Sequence, residues 1–171
     1  MTGRATFRRP LFLAACLLAC AALLPACAGK SPAPVPPEDV VAPRAATPAE
    51  QKVVRLARSL VGTPYKWGGY SPRTGFDCSG FIWYVYSQNG VTLPRMTWQQ
   101  LNAGKPVQRA DIRPGDLVFH QVDKDGKSLH VGVVTDRGTF VHAPSSGKNV
   151  MESSLNSPFW AEHYLGARRI L

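Results

Sequence analysis

Apolar residues recur at Val53, Leu56, Ala57 and Leu60, the three-and-four spacing that lines one face of a helix. Immediately before them, Thr47-Pro48-Ala49-Glu50 reads as a capping box with proline at the first helical position, and Gly62 offers a stop. The next stretch, 63–77 (TPYKWGGYSPRTGFD), is rich in glycine and proline and is predicted to lack regular structure. Residues 78–89 then read as a buried helix, with Phe81, Ile82, Val85 and Tyr86 on a broad apolar face and Gly90 closing it. A short helix over about 97–102 follows Pro94. Beyond it the period changes to two, with strands expected over 116–120, 129–135, 139–143, 149–153 and 167–171. Asp125-Gly126 and Arg137-Gly138 mark hairpin turns between them. Helices first and an antiparallel sheet of about five strands afterwards is an α+β order.

The first 47 residues follow no such pattern. Arg4, Arg8 and Arg9 precede an apolar run from Leu11 to Leu24, the length of a secretory signal and short for a spanning helix. The run ends in Leu24-Pro25-Ala26-Cys27, small residues before a cysteine, which is what a lipoprotein signal peptidase requires. Cys16 and Cys20 sit in similar contexts, but the apolar run before each is shorter, so Cys27 is the expected lipidation site. Cleavage of an ordinary signal peptide nearby is the alternative. Residues 28–47 are Pro- and Ala-rich and read as a semi-extended tether. The expected organisation is a lipoprotein signal over 1–26, a lipidated cysteine and tether over 27–47, and one folded domain over 48–171. Ala28, where aspartate would favour inner-membrane retention, points to the outer membrane, on the periplasmic side.

Composition narrows the classes. With 171 residues, 44% hydrophobic and 18% charged, the chain has room for one globular domain. Its formal charge is +9, falling to about +6 once the three arginines of 1–27 are removed. Lys and Arg are scattered, without dense runs or aromatic interleaving, which argues against nucleic acid. A basic surface also suits an anionic polymer or lipid headgroups. The four cysteines are 16, 20, 27 and 78, so a processed domain keeps Cys78 alone, with no disulfide partner.

Cys78 opens its helix directly after Asp77, where unpaired amides and the helix dipole favour thiolate. A nucleophilic cysteine also needs a base and a group that orients the base. His130 and His142 lie on strands separated by a short turn, and antiparallel pairing would bring them together. One could hydrogen-bond Cys78 while the other fixes its tautomer. Each also has a plainer reading: Cys78 as a small buried hydrophobe, the histidines as structural strand residues. One cysteine and two histidines are zinc donors too, but none of these spacings is a recognised ligand pattern, and no metal or cofactor is expected.

The blocks FDCSGF at 76–81, PGDLVF at 114–119, HVGVV at 130–134 and FVHAPSSGK at 140–148 together resemble the signatures of the NlpC-type cell-wall peptidases. The resemblance runs from about residue 50 to 171. The stretch SSLNSPFWAEHYLGARRIL further resembles the C-terminus of the MepS-like murein endopeptidase lipoproteins within that family. The family resemblance implies a minimal papain-like fold and a thiol peptidase acting on peptidoglycan; the domain is separately expected to be monomeric and to need no cofactor. Position by position, Cys78 matches the nucleophile, His130 its base and His142 the third polar residue. Tyr65 matches a tyrosine that faces the nucleophile and helps bind an oxyanion. Asp77 is at least an N-cap and in some relatives meets a substrate amine; Ser79 supplies an amide to an oxyanion hole or caps the helix start. Arg95, in LPRMT, serves packing or a substrate carboxylate. His120 departs from the family, whose members often carry an apolar or aromatic residue there; it is expected at a surface strand end, with the cleft edge as alternative. His163 is given no catalytic role. Two rival functions stand beside the peptidase: an inactive murein-binding scaffold, and an amidase or acyltransferase of the same clan. The scissile bond, a D,D cross-link or the D-glutamyl-diaminopimelate bond, is left open.

Overall fold

The computed structural model describes residues 45–123, 128–136 and 138–171. The signal, Cys27 and most of the tether lie outside them, as do the Asp125-Gly126 turn and Arg137. Helix α1 (Pro48–Ser59) starts as the sequence indicates. Thr47 Oγ1 accepts from the Glu50 amide at 3.2 Å, and the Glu50 carboxylate accepts from the Thr47 amide at 2.6 Å. Val53, Val54 and Ala57 turn inward. Helix α1 ends at Ser59 with Leu60 as its C-cap; Gly62, with φ +94°, then donates its amide to Val150 O.

The loop reading of 63–77 needs correcting. Strands β1 (Tyr70–Ser71) and β2 (Gly75–Phe76) form a small antiparallel hairpin. Its glycines permit the pairing where composition suggested they would prevent it: a Cβ on Gly69 would lie 2.4 Å from Gly75 O. Helix α2 (Cys78–Ser87) follows at once, capped by Asp77, whose side chain accepts from the Gly80 amide at 2.6 Å. Gly80 lets the loop press on the helix start, since a Cβ there would fall 2.0 Å from Gly69 O. Helix α3 (Thr97–Gln100) is a single turn.

The main sheet has six strands, one more than expected. The extra member is β3 (Lys105–Val107), an edge strand too short to show a period. The others are β4 (Leu117–Gln121), β5 (Leu129–Val134), β6 (Thr139–His142), β7 (Met151–Ser154) and β8 (Tyr164–Arg169), with α4 (Pro158–Glu162) before the last. They are ordered β3-β8-β4-β5-β6-β7, every pair antiparallel. Alternation sorts their side chains into two clusters. Leu117, Phe119, Val131, Val133 and Val141 pack with Phe81, Ile82, Val85 and Tyr86 of α2 and with Val53 and Ala57 of α1. Val118, Val134, Phe140 and Ala167 form the second, with Trp160 and Tyr164 against it. This is the α+β, papain-like arrangement of helices against an antiparallel sheet. Asp116 of the PGDLVF block secures the sheet, accepting from Arg169 Nη2 at 2.8 Å and Nε at 2.9 Å.

Candidate active site

The register explains how two distant histidines meet. Val133 pairs with Val141 and Val134 with Phe140, which brings His142 beside Gly132, one step along the same face from His130. Gly132 leaves the room: a Cβ there would stand 2.4 Å from Phe140 Cδ2 and 3.1 Å from His142 Cβ. His130 Nε2 and His142 Nδ1 are 2.8 Å apart, and His142 Nε2 is 2.8 Å from Ser153 Oγ on β7. One proton assignment satisfies the chain in the direction catalysis needs. With both imidazoles protonated at Nε2, His130 donates to His142 and His142 donates to Ser153, leaving His130 Nδ1 as a free base. Burial pushes His130 well below the ordinary imidazole range and brings His142 down to about 3, so both rings are neutral at physiological pH.

Trp160 of α4 covers the pair. Its ring stacks on His130 at 5.4 Å and 25°, and meets His142 edge-on at 4.9 Å. The cover excludes water and strengthens the bond beneath it. Neither Trp160 nor Ser153 was identified from the sequence; only the resemblance of the C-terminal stretch bore on them. His120, expected at the surface, is fully buried on the same face. It pairs across β4 and β5 with His130 and is boxed by Phe140, Trp160 and Tyr164. Among the described residues neither of its ring nitrogens has a hydrogen-bond partner, and burial brings its pKa down to about 4. His163 stacks on Phe159, with its Nδ1 2.8 Å from that residue's carbonyl oxygen.

Cys78, at the start of α2, is the one free cysteine among the described residues. Its sulfur faces the backbone N–H groups of Ser79 and of Val131, the residue following His130. Its side-chain hydrogen bond is to Thr97 Oγ1 at 3.5 Å; among the described residues none joins it to His130. The helix-start amides favour thiolate, as their position implies, but they do not act alone. Burial and the adjacent Asp77 push the thiol up, and the Thr97, Ser79 and Val131 donors only partly offset them. A base must therefore take the proton as the sulfur attacks.

The remaining predicted positions gather around the helix start. Asp77 is fully engaged: besides Gly80, it accepts from the Gly68 amide at 3.0 Å and from both Arg95 Nη atoms, at 2.9 and 2.7 Å. Arg95 also donates to Ser79 Oγ at 2.9 Å and Gly69 O at 3.2 Å. Its guanidinium thus ties the hairpin loop to α2. Ser79 offers its amide to the sulfur while its hydroxyl stays in that network. Tyr65 and Cys78 are both half-buried against the same core cluster, and burial, with the charges of Cys78 and Asp77, raises the Tyr65 phenol. Among the described residues no group of three His, Cys, Asp or Glu is placed to hold a metal ion.

A thiol at a helix start and a chain of two imidazoles, on a helix-backed antiparallel sheet, are the layout of a papain-like cysteine peptidase. The model of the NlpC/P60 family matches residues 62–169, and the chain belongs to that family. It is 40% identical over 128 residues to murein DD-endopeptidase MepH of Escherichia coli, covering 71% of this chain and 47% of MepH. It is 38% identical over 125 residues to gamma-DL-glutamyl hydrolase of Bacillus subtilis, covering 72% of this chain and 29% of that protein. The chain thus spans half or less of the length of these relatives. A crystal structure of an NlpC/P60 family protein from Bacillus cereus superposes with a TM-score of 0.68 at 36% identity, over 74% of this chain and 41% of that one.

Proposed function

We propose that this chain is a peptidoglycan endopeptidase working by a Cys-His-His thiol mechanism in cell-wall remodelling. The observation that carries the reading is the His130–His142–Ser153 chain, which leaves His130 Nδ1 free, on the residue next to the Val131 amide that faces the Cys78 sulfur. Substrate binding brings Sγ and Nδ1 into reach, as catalytic contacts commonly tighten in the Michaelis complex. Sγ attacks the peptide carbonyl carbon as its proton passes to His130. The oxyanion is met by helix-start amides, that of Ser79 among them, and by the Tyr65 hydroxyl. His130 then protonates the departing amine, leaving a thioester on Cys78. Water, deprotonated by His130, releases the acid and restores the thiol. Asp77 serves as cap and as anchor for Arg95.

The C-terminal resemblance to MepS-like enzymes and the similarity to MepH favour the D,D cross-link as the scissile bond. The sequence of 1–27 supports a lipid anchor at Cys27 on the periplasmic side of the outer membrane, with the tether carrying a monomeric domain towards murein. Incubation of defined muropeptides with wild type and Cys78→Ala, followed by mass spectrometry, tests the activity and the bond together. Wild type is expected to release products that Cys78→Ala does not, with iodoacetamide abolishing turnover and EDTA leaving it intact. Identical products from both proteins would sink the reading.

A further inference from the structure

The mechanism above leaves Thr97 without a task, although its hydroxyl makes the sole side-chain hydrogen bond of the Cys78 sulfur among the described residues. Thr97 is not placed there by helix capping. The N-cap of α3 is Met96, which makes no side-chain cap bond, and Thr97 is the first residue inside the turn. Nor is α3 free to drift. Gln100, one turn along the same face, is fully buried and donates through Nε2 to Ser79 O at 3.0 Å and Pro94 O at 2.8 Å. The carbonyl it holds belongs to the residue after the nucleophile. Gln100 therefore locks the single turn of α3 onto the first turn of α2, and Thr97 reaches from that locked turn to the sulfur at 3.5 Å.

We propose that Thr97 is a positioning residue for the nucleophile: its hydroxyl holds Sγ in the resting enzyme and donates to the sulfur as the thiolate forms. The inference rests on Cys78 being the nucleophile. In the thiol the hydroxyl can accept or donate, since either atom can supply the hydrogen. Once the proton has left for His130, the sulfur can only accept, and Thr97 becomes a donor to the developing charge. The Ser79 and Val131 amides supply two further donors, so three groups on three elements surround the sulfur. That arrangement offsets part of the burial that opposes thiolate formation at this position.

The test reads thiolate directly and does not depend on murein cleavage, so its failure is distinct from failure of the peptidase reading. The rate of iodoacetamide modification is measured against pH in the full-length protein, and followed at Cys78 by mass spectrometry of its peptide. Thr97→Val keeps the shape and removes the donor; Thr97→Ser keeps the donor. The expected result is a midpoint displaced upward by about one pH unit in Thr97→Val, the shift that losing one hydrogen bond to a charged group produces. Thr97→Ser is expected to titrate with wild type. Thermal melts check folding, and Thr97→Ala carries the same reading should the valine variant not fold. An unchanged midpoint in the valine or alanine variant overturns the proposal. An equal upward shift in Thr97→Ser overturns it too, because packing and not the hydroxyl would then be responsible.

Discussion

Replacing His120 with phenylalanine should stabilise the domain, and more so in acid. His120 is fully buried, with both ring nitrogens unpartnered among the described residues, stacked on Phe140 at 27° and enclosed by Trp160 and Tyr164. At neutral pH the cost of two orphaned nitrogens, about 1–3 kcal/mol, is set against crowding from the larger ring, leaving a net gain of about 1 kcal/mol. Acid adds a second effect. The imidazole titrates near 6.5 when unfolded and at about 4 in the fold, so between those values the unfolded chain binds more protons. The stability tied to keeping this ring neutral is whole above pH 6.5 and drains away as pH falls towards 4. Between pH 7.5 and pH 5 that amounts to about 2 kcal/mol. Phenylalanine does not titrate, so the advantage of His120→Phe should grow from about 1 to about 3 kcal/mol over that interval. His130 and His142 remain in both proteins, and subtracting the two stabilities isolates His120. Urea unfolding at both pH values measures the difference. A gap that stays the same at pH 7.5 and pH 5 would refute the buried, neutral reading of this ring.

Three further outcomes follow from the site. His142→Ala strands the His130 Nε2 proton and should lower kcat by about 10²–10⁴-fold, whereas Ser153→Ala, one bond further out, should cost no more than about tenfold; steady-state rates on muropeptides separate them. Gly132→Ala drives a Cβ to 2.4 Å from Phe140 Cδ2 and 2.9 Å from Val141 O, which should cost about 1–3 kcal/mol in urea unfolding and reduce activity by parting the two imidazoles. Asp77→Ala removes the α2 cap and the partner of Arg95, and should destabilise by about 2 kcal/mol or more, read as a lowered melting temperature.

Much of this was legible along the chain because it is local. The Thr47 capping box, the apolar face of α1, the Asp77 cap and the period-two runs of β4, β5 and β6 are each written within a few residues. The meeting of His130 and His142 was legible too, since a hairpin with a short turn has few registers. The chemistry of Cys78 came from ordered motif blocks, not from periodicity. The β1–β2 hairpin was hidden because glycine signals both a loop and a close backbone approach. Strand β3 was hidden because three residues carry no period.

What the tertiary structure alone decided is the surroundings of each chemical group. Sequence determined that a thiol stands at a helix start and that two imidazoles share a hairpin. It could not determine that the thiol would be half-buried and pushed up, that Trp160 would roof the imidazoles from a later helix, or that His120 would be walled in beside them. Thr97 and Ser153 reach their partners across α3–α2 and β7–β6 contacts set by the packed whole. The reason is physical: a residue's identity fixes its donors, acceptors and intrinsic pKa. Desolvation and through-space partners fix how those are used, and they exist only once distant segments have packed together.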